Sequence, residues 1–293
     1  MQITLGADPE FFVLDKEKDT FISAHDLIKG TKQQPHKLRN GSIQVDGTTA
    51  EVNITPAKNA KSFSQNTLSI MKQLRKQLKK TNKNADLTIL ASVPFEKNYF
   101  KNLPEDVKAM GCEPDMDAYT GIVRTLTDLK DTTRMAGGHI HIGWLEPEQF
   151  LKEEDLFDPV HIEDCSRIVK QLDAVFIVLS YIWDQNRVRR TTYGQKGSFR
   201  PKTFGVEYRV LSNAWTKDNE LIQWIFNVTD FVTQKLAEGQ ELFNTDNNKL
   251  IDFLDKDLSY TQIMAYYRML VSSFGIPIIP HSTLSKFTSD SIC

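Results

Sequence analysis

The sequence is poor in cysteine and has no long apolar run, and each shortage excludes a class of protein. Cys112, Cys165 and Cys293 are odd in number and widely spaced among 293 residues, with no CxxC pair. A disulfide framework and a paired-cysteine zinc site are therefore excluded, and a reducing compartment fits. The most apolar run, Ala174 to Trp183, is half of the roughly 20 residues that a membrane span needs. Met1 to Gly6 has neither the basic region nor the apolar core of a signal peptide. These absences predict a soluble, cytoplasmic protein without a membrane partner. A dominant charge is missing too: 36 basic and 38 acidic residues give a net charge of -2, which supplies no field to recruit nucleic acid. There is no GxxxxGK[ST] loop, no dinucleotide fingerprint after a strand and no GxSxG elbow, so any nucleotide must be held by other means. No period of roughly 20 to 50 residues recurs, which excludes repeat architectures.

What is present is ordinary in bulk and unusual in placement. Hydrophobic residues at 40% and charged residues at 25% suit a globular enzyme. The length suits one large domain or two modest ones, and the reading adopted is a single catalytic domain over 1–293, with a sheet core over 1–215 and a helical part over 216–293. Gly205 to Asn213 alternates like a strand, with Val206, Tyr208 and Val210 on one face and Glu207 and Arg209 on the other. Asp8-Pro9-Glu10, Asp46 to Glu51, and His139-Ile140-His141 place polar chemistry on strands in the same way. The chain is read as a sheet on which these four segments converge.

Along the chain, Ile3 to Leu14 reads as one strand, with Pro9 demanding an edge or a bulge, and Phe21 to Ala24 as its hairpin partner. His25 to Asn40 reads as a mobile, lysine-bearing loop. Ser42 to Asp46 and Thr49 to Thr55 are strands around Gly47, and Leu87 to Val93 is a short apolar strand. Lys58 to Lys80 is an amphipathic helix with Phe63, Leu68, Met71, Leu74 and Leu78 on its apolar side. Gly111 to Tyr119 reads as an acidic loop, and Arg134 to Gly143 as a strand whose Gly137-Gly138 pair bares the backbone for a ligand. His161 to Asn186 is a buried helix. Arg187 to Arg200 is basic and glycine-spaced, as an anion site requires, and helices are predicted at 218–238, 248–255 and 260–272.

Asp8, Glu10, Asp46, Glu51 and Glu207 lie in or near strands, where acids are depleted. Gathered on one face they repel unless cations lie among them, so the set implies divalent metal; the alternative is surface pairing with nearby lysines. Oxygen donors with a histidine or two favour Mg²⁺ or Mn²⁺ over Zn²⁺. His139 and His141, two apart on a strand, face the same side and suit a metal or a phosphate-bearing ligand, although such a pair alone also fits structural histidines. Arg209, Arg200 and the Arg189-Arg190 pair supply guanidiniums for phosphate or carboxylate oxygens.

Several segments, in order, resemble the phage-type carboxylate-amine ligases of the glutamine synthetase and glutamate-cysteine ligase superfamily. They are Gly6-Ala7-Asp8-Pro9-Glu10-Phe11-Phe12, Asp46-Gly47 with Glu51-Val52-Asn53-Ile54, Gly137 to Gly143, Arg189-Arg190 with Tyr193-Gly194, and Phe199-Arg200 leading to Glu207-Tyr208-Arg209. The resemblance spans roughly residues 3 to 215. It implies an α+β fold with a curved, mainly antiparallel sheet of the glutamine synthetase catalytic-domain type, and helices on the convex face and at the C-terminus. It also implies ATP with two or three Mg²⁺ or Mn²⁺ ions on the concave face, and a phage-encoded protein acting in the host cytoplasm. Glu10, Glu51, His139 and Glu207 would be metal ligands. Asp8 stands where relatives of the glutamate-cysteine ligase kind have a glutamate, so its shorter side chain reaches metal directly or through water. Arg209 would meet the γ-phosphate, with Arg200 and Arg190 beside the nucleotide, and His141 would line the nucleotide or substrate pocket. Glu207, Arg209, Arg200 and His141 would form the catalytic set, and Glu113, Asp115 or Asp117 would attract the amine and take its proton. The implied reaction joins a small-molecule or peptide carboxylate to an amine through an acyl phosphate. The alternatives are a phosphotransferase of the same fold, like the guanidino kinases, and a non-catalytic nucleotide- or metal-binding protein.

Overall fold

The computed structural model describes residues 2–109, 115–124 and 132–288. Six strands precede the first long helix: β1 (Thr4–Ala7), β2 (Glu10–Asp15), β3 (Thr20–Ile22), β4 (His36–Leu38), β5 (Gly41–Asp46) and β6 (Thr49–Ala57), then α1 (Ala60–Thr81). Next come β7 (Ala85–Thr88), β8 (Ser92–Pro94), α2 (Lys97–Lys101) and α3 (Glu105–Lys108), followed by β9 (Asp115–Asp117), β10 (Val123–Arg124), β11 (Thr133–Met135) and β12 (Ile140–Gly143). Helices α4 (Pro159–Leu179) and α5 (Arg187–Thr192) lead into β13 (Ser198–Lys202) and β14 (Gly205–Tyr208). The described chain ends in α6 (Asn219–Ala237), α7 (Asn248–Leu254), α8 (Tyr260–Phe274) and α9 (His281–Leu284).

Among the described residues, 12 strands form one antiparallel sheet whose main path runs β10-β9-β13-β14-β12-β1-β6-β2-β3. β5 lies on the other side of β6 and carries β4, while β7 pairs with β2. Period-two alternation divides this sheet into a wet and a dry face. Leu5, Ala7, Val52, Ile54, Ile140, Ile142, Phe199, Val206 and Tyr208 point to the dry side and join the main core. Helix α1 packs there on β6, and α4 on β13 and β14, while α6 braces both helices. Helix α1 forms because Phe63, Ile70, Met71, Leu74 and Leu78 recur at helical spacing and bury together, and Asn59 caps its first turn by accepting the Ser62 amide. Helix α4 is capped by Asp158 with Pro159 at its first position. Trp215, fully buried, stacks on Phe63 at 5.8 Å and donates its indole N–H to Gly138 O at 2.9 Å, tying the helical layer to the sheet. Among the described residues, no helix is long and apolar enough to cross a membrane.

The structure corrects several element boundaries. The strand expected over 3–14 is two, β1 and β2, which both pair with β6, Ala7 opposite Ile54 and Glu10 opposite Glu51, with a register shift between Leu5 and Ala7. Pro9 interrupts them inside the sheet rather than on an edge. Its carbonyl still accepts the Val52 amide at 3.1 Å, so only the donor that proline lacks is lost. The strand expected over 87–93 divides into β7 and β8, and that over 134–143 into β11 and β12. β8 and β11 pair with each other in a separate two-stranded sheet. Asp115 to Asp117 is the strand β9 and not a loop, and the basic segment after Asn186 begins as α5, capped by the Asn186 side chain. Leu68, expected on the apolar side of α1, is 41% exposed.

Candidate functional site

The wet face of the sheet carries a cavity of about 380 Å³. Five carboxylates line it, Asp8, Glu10, Asp46, Glu51 and Glu207, against the four permanent cations Lys32, Arg200, Lys202 and Arg209, with His139 and His141 between. Strand register makes this assembly. Arg200, Glu207 and His141 lie directly opposite one another on β13, β14 and β12, and the row continues to Gly6 on β1. On the other flank, Glu10 of β2 lies opposite Glu51 of β6, and Glu51 opposite Gln44 of β5.

The first flank is densely paired. Arg209 binds Glu207 through Nη1 and Asp115 Oδ1 through Nε at 2.6 Å, while Lys202 reaches Glu207 Oε2 at 2.7 Å. Burial pushes the Glu207 carboxyl up, but Arg209, then Lys202 and His141, overcome it and hold the group well below the usual range. Burial likewise opposes ionisation of Asp8, yet His141 and His139 hold it well below its ordinary value. The distances are 3.1 Å from His139 Nδ1 to Asp8 Oδ1 and 3.2 Å from His141 Nε2 to Asp8 Oδ2. Burial, reinforced by Arg209, lowers His139, so it is held neutral. In His141 burial is outweighed by Asp8 and the group is raised. Asp8, His139 and Glu207 each offer one ligand atom, all within 4.8 Å of one another.

The second flank is short of positive charge. Glu10 is pushed up to about 8 by burial and then by Asp46, against the Gly137 amide that donates to its Oε2 at 2.9 Å. Glu51 is raised well above its ordinary value by burial and by Asp8, Asp46 and Glu10. Gln44 Nε2 donates to Glu51 Oε1 at 3.1 Å, and Asn53 Nδ2 to Gln44 Oε1 at 3.1 Å. Crowded, desolvated carboxylates of this kind are relieved by a divalent cation. With one imidazole among hard oxygens, the donor set fits Mg²⁺ or Mn²⁺.

The glycine pair has a different reason from the one expected. A Cβ on Gly137 would lie 2.2 Å from His139 Nε2, and one on Gly138 would lie 2.1 Å from Ser212 O. The glycines admit the His139 ring and the backbone of the Ser212 segment, so the close approach is by the protein itself. Asn213 fixes the same corner by donating to Glu10 O at 2.7 Å and Leu90 O at 3.1 Å.

The structure therefore brings together Asp8, Glu10, Glu51, His139, His141, Arg200, Glu207 and Arg209. Arg190 it places elsewhere: its guanidinium donates to Ile177 O, Ser180 Oγ and Asp184 O, packs on Tyr181, and lines a separate cavity. Arg189, 1% exposed, clamps the carbonyls of Ala136, Val210 and Leu211 rather than facing the cleft. Asp115 braces Arg209 and lies 3.5 Å from Arg200, and Asp117 pairs with Arg124 at 2.6 Å. Glu113 and Cys112 lie outside the described residues. Sequence reasoning missed Gln44, Lys32, Lys202 and Tyr193 as members of the site. Gln44 and Lys202 were signalled by strand parity, since each sits an even number of residues from a recognised site residue, Asp46 or Arg200.

No curated protein matches the sequence. Among solved structures, the chain is similar to a bifunctional glutathione synthetase from Pasteurella multocida, with a TM-score of 0.48 and 11% identity, over 99% of this chain and 47% of that one. The chain thus spans less than half the length of that protein. Residues 157–265 match the family model "Phage phiEco32-like COOH.NH2 ligase-type 2". That stretch, over a third of the chain, holds Arg200, Glu207 and Arg209.

Proposed function

We propose that the protein is an ATP-dependent carboxylate-amine ligase, built on a sheet of the glutamine synthetase catalytic-domain type, that forms an amide or peptide-like bond through an acyl phosphate. The observation that carries this reading is the meeting of Glu207 and Arg209, within the family-matched stretch, with a divalent-cation donor set from three other strand lines in one cavity. A carboxylate is a poor acyl donor because its oxide cannot leave, and phosphorylation makes it one. Phosphoryl transfer depends on positioning and on neutralising the charge spread over the transferred group. Asp8, His139 and Glu207 would hold one divalent ion and Glu10 and Glu51 another, and such ions would supply that neutralisation when bound. Arg209 and Arg200 present guanidiniums to the same cavity for phosphoryl oxygens. Asp115 holds Arg209 at Nε just past the end of β14, so the fork is braced and not left to a flexible side chain. His141, tied to Asp8, lines the same cavity and would meet nucleotide or substrate there.

The test is incubation with ATP, Mg²⁺ and panels of amino acids, small carboxylates and peptides, following ADP release and the mass of the products. An amide product formed with one ADP per bond is expected. A stable phosphorylated product without an amide would overturn the ligase reading.

A further inference from the structure

Tyr193 is a buried side chain of this region that the reaction scheme leaves unused. It ends α5, its amide donating to Arg189 O at 2.7 Å, and Gly194 follows at a φ of +67°, a left-handed position open to glycine. A Cβ on Gly194 would lie 2.5 Å from Arg189 Nη1 and 2.6 Å from Val210 O, so the turn is packed closely against the buried Arg189. The Tyr193 ring is held between that guanidinium, 5.0 Å from its centroid, and the edge-on imidazole of His139 at 5.8 Å.

Three contacts fix what the phenol does. Its oxygen lies 2.8 Å from His139 Nε2 and accepts from Arg209 Nη2 at 3.1 Å, while Arg209 Nη1 lies 3.1 Å from His139 Nδ1 in hydrogen-bond geometry. A guanidinium only donates, so Nδ1 accepts, and the ring proton resides on Nε2. Asp8 Oδ1, also 3.1 Å from Nδ1, lies off the direction of a hydrogen bond, which disfavours a proton at that nitrogen. The His139 ring is 2% exposed, so water does not replace the phenol as acceptor.

We propose that Tyr193 is a positioning residue that accepts the Nε2 proton of His139 and thereby keeps Nδ1 unprotonated beside Asp8 and Glu207, so that its lone pair, held here by Arg209 Nη1, can pass to a divalent cation. It rests on the reading that Asp8, His139 and Glu207 hold such an ion. Partners behind a ligating histidine set its tautomer and its basicity. Without the phenol, Nε2–H is buried with no acceptor, and the preference for the proton at Nε2 over Nδ1 is weakened.

The experiment uses ¹⁵N-histidine-labelled, chelator-treated protein. In the unmutated chain, the His139 resonances should show Nδ1 unprotonated and Nε2 protonated. Tyr193→Phe should mix or reverse the tautomers and weaken Mn²⁺ binding, read by electron paramagnetic resonance of the free ion, by about 10- to 100-fold. A proton on Nδ1 in the unmutated protein overturns the proposal, and so does a folded Tyr193→Phe protein with unchanged tautomer and Mn²⁺ affinity. If Tyr193→Phe does not fold, the unmutated spectrum alone decides. Absence of Mn²⁺ binding by the unmutated protein would sink the metal reading, while a tautomer that changes in Tyr193→Phe would still support the positioning role.

Discussion

Glu207 and Glu10 are both buried glutamates on the wet face of one sheet, 1% and 6% exposed, yet their surroundings treat their charge in opposite ways. Arg209 and Lys202 touch Glu207 and keep it ionised. Glu10 faces Glu51 across the ladder and Asp46 nearby, and it is pushed up to about 8. The difference lies in what each strand neighbour supplies: β13 contributes Arg200 and Lys202, whereas β6 and β5 contribute Glu51, Gln44 and Asn53. One flank carries its own counter-charge, and the other is short of it.

The largest effect expected from breaking this comparison is at its paired flank. Glu207→Gln should lower kcat by roughly 10³-fold with little loss of fold, because Arg209 keeps Asp115 as a partner. A steady-state assay beside a thermal melt measures both, and near-normal ADP formation would remove Glu207 from the metal set.

On the other flank the sign reverses. An acid raised from 4.5 to about 8 keeps its proton in the folded state after the unfolded chain has lost it. Its contribution is therefore fully present below about pH 4.5 and is lost as pH rises through about 8. Chelator-treated protein should lose stability across that window, Glu10→Gln should flatten the loss, and Mg²⁺ should flatten it in the unmutated protein alone. Denaturant melts between those pH values, with and without Mg²⁺, read the outcome. An unchanged slope in Glu10→Gln would mean that Glu10 is not the titrating group.

Gly137→Ala should act on both flanks at once, since the added methyl meets His139 Nε2 and the Gly137 amide caps Glu10. Overpacking of this kind costs about 1–3 kcal/mol, and divalent-ion affinity should fall with it. The smallest effect on chemistry is expected at Arg190. Its contacts are with Ile177, Ser180, Asp184 and Tyr181, so Arg190→Ala should lower the melting temperature and leave the KM for ATP nearly unchanged. A large rise in that KM would return Arg190 to the nucleotide site.

Much of the site was legible because strand chemistry is local. Glu207 with Arg209, and His139 with His141, announce a shared face by their spacing of two, and acids in strands are rare enough to notice. Gln44 obeys the same parity but carries no charge, so nothing distinguished it from an ordinary polar residue. Arg189 and Arg190 were misplaced because adjacent arginines in a glycine-spaced segment look alike whether they face a ligand or backbone carbonyls. Only the fold shows that Arg189 is spent on Ala136, Val210 and Leu211. The Gly137-Gly138 pair reads in the sequence as making room for a ligand, and only the fold shows that the approaching atoms are those of His139 and Ser212.

The sequence by itself determined which residues share a face, where the amphipathic helices run and what kinds of ligand the acids and arginines suit, because periodicity and side-chain chemistry are properties of short segments. The tertiary structure alone decided the pairing of β12 with β14 and of β2 with β6, and with it which carboxylates are neutralised and which are crowded. Charge state depends on neighbours distant in the chain, brought within a few ångströms by antiparallel register.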